Sequence, residues 1–374
     1  MTRTRLVDFA LALQGELTQA QPPAGNLVWS PYSVASALGV AAAGARGPTY
    51  DELVRALGGE PLAELGTALT AAARLEDAEV AVANTLWARL GLPFTDDYQR
   101  GVLGWPGGAL HAADFRGDPE GSRIKINSDV EKTTRGLIKD LLAAGTISRE
   151  TAAVIVNALY LKVAWRQAFE DSATLPRPFY GPSGRRRVPT MRQVQRMPYA
   201  EADGWRMVTL PTASDVVVDV LLPDAEPPKG EPPRGEPPEG GRLDLGGAVL
   251  ARLYDSAAPV QVDLALPKFR VETSATLNGP LGGLGVATAF DPERADFSGI
   301  TPERICVSKI VHRAVLRLDE QGFEGAAATA VVMRLAGAFM PGRTVQFHVD
   351  RPFLLLVRHP GTGAIYFAAR ITEP

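Results

Sequence analysis

The chain opens on segments whose apolar residues recur with the period of a helix, and it closes on segments whose apolar and polar residues alternate. Residues 5–20 predict a first helix, and an alanine-rich second helix follows over 34–43, with Pro31 in its first turn. Alternation begins at residues 80–90, and 152–163 is a nearly continuous apolar run, typical of a central strand covered on both faces. Early helices and late strands favour an α+β fold over a doubly wound sheet.

The same patterns predict further elements. Thr49, just before Asp51 and Glu52, is predicted to cap a third helix. Residues 127–144 carry helical periodicity. Alternating strands are predicted at 205–210, 215–222, 260–271 and 306–318.

The segment from Leu318 to Met340 fits two patterns. Its alanine-rich middle has high helix propensity, although three glycines interrupt it and no apolar stripe of helical period emerges. With a period of two, alternate residues from Phe323 to Leu335 form one mostly apolar set, as in a strand with one buried face. The pattern by itself favours the helix.

Composition limits the classes of protein that fit. With 374 residues and 45% hydrophobic content, the chain can bury a large core as one large domain or two ordinary ones. The net charge of -3 gives no electrostatic reason to bind nucleic acid or a membrane. The single cysteine, Cys306, excludes an internal disulfide and is predicted to be a small buried apolar residue. Because neither a signal peptide nor a long apolar run is found, we expect a cytoplasmic protein.

The sequence lacks the common signatures of catalysis. It contains no G-x-S-x-G elbow, no P-loop and no H-E-x-x-H motif. Its four histidines show no metal-ligand spacing. We therefore predict that the protein is not an enzyme and that it uses neither a metal nor a cofactor.

Two unusual segments are predicted to be solvated surface. Residues 226–240 hold three copies of a five-residue proline-rich repeat, which favours extended polyproline II structure. The basic triplet Arg185–Arg187 lies in a turn flanked by glycine and proline.

Nine motifs in a fixed order along the chain resemble the serpin family of serine protease inhibitors. Glu320-Gln-Gly-Phe-Glu-Gly-Ala-Ala-Ala-Thr329 resembles the hinge of that family's reactive-centre loop, and residues 350–358 resemble its closing strand. The other motifs are Asn26…Ser30-Pro-Tyr-Ser33, Asn84-Thr-Leu-Trp87, Ile126-Asn…Glu131-Lys-Thr, Val156-Asn-Ala-Leu-Tyr-Leu-Lys…Trp165, Leu266-Pro-Lys-Phe269, Ala295-Asp-Phe-Ser-Gly-Ile300 and Val307-Ser-Lys-Ile-Val-His312. The resemblance implies a single serpin domain over 1–374, with a large central mixed β-sheet, additional sheets, eight or nine helices and an exposed reactive-centre loop at 318–345.

The resemblance also implies a function. In serpins the loop resembles a substrate, and a serine protease attacks one of its peptide bonds. The part of the loop before the cleaved bond then inserts as a strand into the central sheet and traps the acyl-enzyme. Counting from Glu320 as in that family places the bond at Ala336–Gly337, with Leu335–Ala336 or a bond near Phe339-Met340 as alternatives. The expected partner is a chymotrypsin-like, elastase-like or subtilisin-like protease, bound by a monomer without a heparin-type activator. A non-inhibitory serpin acting as a binding or chaperone-like protein is the alternative, and a hydrolase is the alternative from another class.

The resemblance assigns three groups of site residues. The hinge group comprises Glu320, Gly322, Phe323, Glu324, Gly325, Ala326, Ala327, Ala328 and Thr329. A cluster beneath the sheet, called the shutter, comprises Ser30, Ser33, Asn157 and His312, and the breach, where the loop enters the sheet, comprises Trp165, Lys268 and Glu320. Phe323 is larger than the residue usual at its place in the family, so we expect it to slow the first step of insertion by overpacking.

Overall fold

The computed structural model describes residues 2–20, 25–224, 243, 245–323 and 344–374. The predicted bond residues Leu335, Ala336 and Gly337 lie outside the described residues, as does the proline-rich repeat at 226–240. The hinge positions Glu324, Gly325, Ala326, Ala327, Ala328 and Thr329 lie outside them as well.

Eight α-helices and two short 3-10 helices, at Asp171–Ala173 and Thr288–Phe290, occur in the described residues. The α-helices are α1 (Thr2–Ala20), α2 (Pro31–Gly44), α3 (Gly47–Ala56), α4 (Leu62–Ala72), α5 (Asp96–Val102), α6 (Pro119–Thr133), α7 (Gly247–Ser256) and α8 (Asn278–Gly283). Helix α2 begins where the sequence predicts, because the Ser30 side chain accepts a hydrogen bond from the Ser33 N–H and Pro31 opens the first turn. Its small residues are almost all buried in the core.

Two helix boundaries predicted from the sequence are wrong. Thr49 does not cap α3, because the helix has already begun at Gly47, and the Thr49 hydroxyl instead accepts a hydrogen bond from the Asp296 N–H. Helix α6 starts and ends earlier than the periodicity over 127–144 indicates. Asp118 caps its start, and two residues with left-handed backbone, Arg135 (φ 50°) and Gly136 (φ 82°), follow its end.

A nine-stranded sheet with antiparallel and parallel neighbours forms one half of the strand framework. Its strands are β1 (Leu27–Trp29), β5 (Leu175–Gly181), β6 (Gly184–Ala202), β7 (Trp205–Pro211), β8 (Val217–Pro223), β9 (Ala258–Pro267), β13 (Val345–His348), β14 (Phe353–Arg358) and β15 (Ile365–Ile371). They run in the order β1-β15-β14-β8-β7-β6-β9-β13, and β5 pairs with β6. Strand β13, which follows the loop segment, pairs in parallel with β9.

A six-stranded sheet forms the other half. Its strands, β2 (Ala78–Arg89), β3 (Gly108–Ala113), β4 (Ala153–Ala164), β10 (Phe269–Thr276), β11 (Ile310–Asp319) and β12 (Gly322–Phe323), run in the order β10-β11-β12-β4-β2-β3. Strand β4 is buried on both faces, as its apolar run predicts. Helix α6 packs over this sheet through a separate apolar cluster that includes Phe115 and Ile126.

The predicted strand over 260–271 is two strands in different sheets. The apolar alternation continues from β9 into β10, but the chain crosses between the sheets at Lys268. At this crossing the Lys268 N–H donates to the Pro189 carbonyl of β6 at 3.0 Å, which fixes the backbone there. The eight α-helices and two mixed sheets of the described ranges confirm the predicted α+β class.

Candidate functional site

The candidate site lies where the two central strands of the six-stranded sheet diverge. Strands β4 and β11 pair directly, in parallel, only at residues 155–157 and 310–312. Beyond that contact they separate, and β12 occupies the space between their far ends. The sheet therefore has a closed end and an end that already accepts a strand.

Strand β12 consists of two hinge residues of the predicted loop, Gly322 and Phe323. Gly322 pairs with Ala164 and Asp319, and Phe323 pairs with Val163 and Leu318, both antiparallel. The predicted loop region 318–345 thus begins inside the sheet, because 318–319 close β11 and 322–323 form β12. Phe323 is expected from the sequence to enter the sheet when the loop inserts, but its backbone is paired there before insertion.

Position 322 requires glycine. Its φ of 142° lies in the region that residues with a Cβ rarely adopt. An added Cβ would lie 2.2 Å from the Val163 carbonyl oxygen and 2.8 Å from the Ala164 Cα. Both atoms belong to the backbone of β4, so the hinge can lie this close to the strand only without a side chain.

The structure brings Lys268 and Glu320 of the breach together. Lys268 Nζ lies 2.6 Å from Glu320 Oε2, and the Thr174 hydroxyl donates to Glu320 Oε1 at 2.8 Å. The Glu320 side chain is only 9% exposed, whereas that of Lys268 is 37% exposed. Burial alone would raise the pKa of Glu320, but its hydrogen bonds from Lys268, the backbone and Thr174 outweigh burial and lower that pKa. The carboxylate is therefore ionised and held at the entry to the sheet.

Trp165 and Phe169 fix the backbone immediately before the loop. The Trp165 indole donates to the Asp319 carbonyl at 2.9 Å, and its backbone N–H donates to the Gln321 carbonyl at 3.0 Å. The Phe169 N–H donates to the Glu320 carbonyl at 2.9 Å. Three consecutive carbonyls are thereby held by one short segment after β4, and this aims the hinge into the space between β4 and β11.

His312 lies at the closed end of the sheet and joins β11 to β4. His312 Nδ1 lies 2.9 Å from Asn157 Oδ1, and the Ser30 N–H donates to His312 Nε2 at 3.1 Å. Because Nε2 accepts, the ring proton lies on Nδ1 and is donated to Asn157. Burial lowers the pKa of His312 to about 4, so the imidazole is neutral at physiological pH.

Ser33 belongs to this cluster through its backbone rather than its side chain. Asn157 Nδ2 donates to the Ser33 carbonyl at 2.6 Å, and the Ser33 N–H donates to the Ser30 hydroxyl. Within the described part of the chain, the buried Ser33 hydroxyl has no hydrogen-bond partner. Asn157 Nδ2 also donates to Asn84 Oδ1 at 2.6 Å, a partner that the sequence reasoning missed. The sequence signal that pointed to Asn84 as a member of the cluster was its place in the motif Asn84-Thr-Leu-Trp87.

The two clusters act on the same pair of strands. The shutter ties β4 to β11 where they touch, and the breach holds the chain where they part. One cluster therefore lies where the two strands touch, and the other lies where β12 separates them. This arrangement suits a strand-exchange mechanism.

The sequence and the fold both match known proteins. The family model described as Serpin (serine protease inhibitor) matches residues 4–374. The leukocyte elastase inhibitor of Homo sapiens is 31% identical over 381 residues, covering 98% of this chain and 97% of that protein. An uncharacterized serpin-like protein of Thermococcus kodakarensis is 31% identical over 360 residues, covering 93% of this chain and 81% of that protein.

Solved structures share the fold across the whole chain. Human thyroxine-binding globulin complexed with thyroxine superposes with a TM-score of 0.85 at 24% identity, covering 100% of this chain and 98% of that one. Uncleaved ovalbumin gives a TM-score of 0.83 at 22% identity, covering 100% of both chains. These likenesses establish the fold alone. Since the family model spans residues 4–374 and the two relatives match 98% and 93% of the chain, the chain belongs to the serpin family.

Proposed function

We propose that this serpin is a suicide-substrate inhibitor of serine proteases. The proposal rests on the position of β12 between β4 and β11. Two residues of the hinge already pair antiparallel with both β4 and β11, in the space that an inserting strand would extend. A loop anchored in this way starts insertion with its first pairs formed, which favours fast insertion over hydrolysis of the acyl-enzyme.

The length of the segment fits this mechanism. From Gly322 to Ala336 at about 3.3 Å per residue, an inserted strand spans roughly 50 Å. That distance carries a tethered protease from one end of the domain to the other. A dozen new backbone pairs at about 0.5–1.5 kcal/mol each would contribute on the order of 10 kcal/mol, comparable with the stability of a whole domain.

We place the attacked bond at Ala336–Gly337, with Leu335–Ala336 as its neighbour. A small P1 residue such as alanine fits an elastase-like or subtilisin-like pocket, whereas leucine fits a chymotrypsin-like one. The similarity to leukocyte elastase inhibitor supports the first of these classes. In this mechanism the protease supplies the covalent catalysis, and the serpin supplies the trap.

A non-inhibitory binding protein is the second candidate function. It is favoured by one observation, since thyroxine-binding globulin and ovalbumin share this fold over the full chain. The two functions differ in whether the protein traps a protease covalently.

A denaturing gel separates the candidates. The protein is mixed with elastase, subtilisin and chymotrypsin, and an inhibitor forms an SDS-stable complex with at least one of them. A variant with Ala327→Arg is the control, because the alternation that starts at Phe323 directs this position to the inward face, where an unpaired charge opposes burial. The variant should be cleaved without trapping the protease. If the wild-type protein is only cleaved or is left intact, the non-inhibitory function holds.

A further inference from the structure

Strand β6 carries an unusual concentration of positive charge. Its 19 residues include five arginines and one glutamate, a net charge of +4 in a chain whose total is -3. Three of its residues at alternate positions, Arg192, Val194 and Arg196, point to the same side and are exposed to solvent. We call these three residues the β6 outer face. The side chain of Arg192 is 44% exposed, and Val194 is 50% exposed, among the most exposed large apolar residues described.

This face lies beside the point where the reactive-centre loop rejoins the fold. Val194 pairs with Asp263 of β9, and Asp263 pairs with Gln346 of β13. Arg196 pairs with Gln261, two residues further along β9 toward Thr344, where the described chain resumes after Phe323. Two strand spacings of about 4.8 Å separate β6 from β13, so Arg196 lies roughly 10 Å from the base of the loop.

The three side chains are arranged for contact with a protein. Arg192 is held in place by two hydrogen bonds of 2.8 Å to the buried Asp263 carboxylate, which also neutralises its charge. Among the residues that the structure describes, Arg196 has no ion-pair partner, so it carries the net positive charge of the face. A fixed guanidinium, an exposed apolar side chain and an unpaired arginine are the composition typical of an interface, in which arginine is enriched.

We propose that the β6 outer face is a second contact surface for the target protease, and that it favours proteases with acidic side chains beside the substrate cleft. The inference rests on the proposed function, since a protease that engages the loop above Thr344 must cover this end of the sheet. A small domain is about 30 Å across, three times the distance from the loop base to Arg196. A polyanion fits the face less well, because its binding needs several unpaired cations, and here an apolar side chain separates one neutralised arginine from one free arginine.

A charge-exchange experiment tests this surface. The probes are subtilisin and two variants of it, with exposed residues bordering the cleft changed to aspartate or to lysine. Wild-type inhibitor should react roughly tenfold faster with the aspartate form than with the lysine form at low salt, and the preference should shrink at high salt. Arg196→Glu should reverse the preference. Arg185→Glu is the matched control, because it changes net charge equally on the same strand but lies eleven residues away, about 36 Å in an extended strand.

The outcomes are distinct. If Arg196→Glu and Arg185→Glu give the same order of rates, the second contact surface does not exist. If heparin accelerates the wild-type reaction and Arg196→Glu abolishes that acceleration, the face binds a polyanion and the proposal is overturned. Failure of the proposed function looks different, because no SDS-stable complex then forms with any of the three subtilisins, and the contact surface fails with it.

Discussion

Replacing Gly322 with alanine adds one methyl group at the tightest contact of the hinge. The methyl carbon would lie 2.2 Å from the Val163 carbonyl oxygen, well inside van der Waals contact. Strand β4 cannot yield, because Val163 also pairs with Ala78 of β2 on its other side. The φ of 142° adds a strain of about 1–3 kcal/mol for any residue with a Cβ. We therefore expect Gly322→Ala to displace the hinge from the sheet.

The same contact must re-form when the cleaved loop inserts. Forcing alanine back into this contact adds the strain of the left-handed backbone, about 2 kcal/mol, to the early stage of insertion. A barrier raised by that amount slows insertion roughly thirtyfold. Hydrolysis of the acyl-enzyme is unaffected, so more inhibitor is consumed as substrate and the stoichiometry of inhibition rises well above that of the wild type.

Titration of a fixed amount of elastase with increasing inhibitor measures this stoichiometry. Gly279→Ala is the matched control, because an added Cβ there has no atom within 4 Å, and its stoichiometry should equal that of the wild type. A Gly322→Ala variant with wild-type stoichiometry would show that the inserted strand does not follow the path of β12, and the reasoning would be refuted.

Three further predictions concern the same site. Phe323→Thr should lower the stoichiometry of inhibition, because a smaller side chain in β12 relieves overpacking by about 1–3 kcal/mol when the inserting loop extends that strand; a wild-type stoichiometry already at one would contradict this. Lys268→Ala and Glu320→Ala should show a coupling of about 1 kcal/mol in a double-mutant cycle of unfolding, and no coupling would exclude a restraining role for the pair. Burial lowers the pKa of His312 from 6.5 to about 4, so the unfolded chain binds the proton first as the pH falls. The contribution of the neutral imidazole to folding stability is therefore complete above pH 6.5 and is lost as the pH falls toward 4. Between about pH 7.5 and about pH 5 the wild type should lose about 2 kcal/mol more than His312→Asn in urea unfolding, and equal losses would contradict it.

The pattern of apolar residues was sufficient to predict a strand or helix whose whole length lies in one environment, either buried or half-exposed. The uninterrupted apolar run of β4 reflects burial on both faces, and it predicted that strand to within one residue at each end. Pattern failed where tertiary structure changes within a continuous period. The alternation over 260–271 continues unbroken although the chain changes sheets at Lys268. The periodicity over 127–144 likewise continues past the left-handed residues that follow the end of α6.

The candidate site was predictable in its residues but not in its geometry. The motifs resembling serpins identified His312, Asn157 and Glu320, yet a motif cannot tell a side-chain contact from a backbone contact, and Ser33 takes part through its backbone. The pairing of Phe323 inside the sheet depends on the separation of β4 from β11. That separation is a property of the assembled fold, which no local sequence encodes.

In the proposed mechanism a protease becomes covalently trapped on a loop that inserts after cleavage. The most direct measurement is the mass of the species formed with pancreatic elastase under denaturing conditions. Covalent trapping predicts one adduct, an ester whose mass equals that of the protease plus that of residues 1–336 less one water, together with a released fragment whose new amino terminus is Gly337. A mixture containing only intact or cleaved chain and free, active elastase would contradict it.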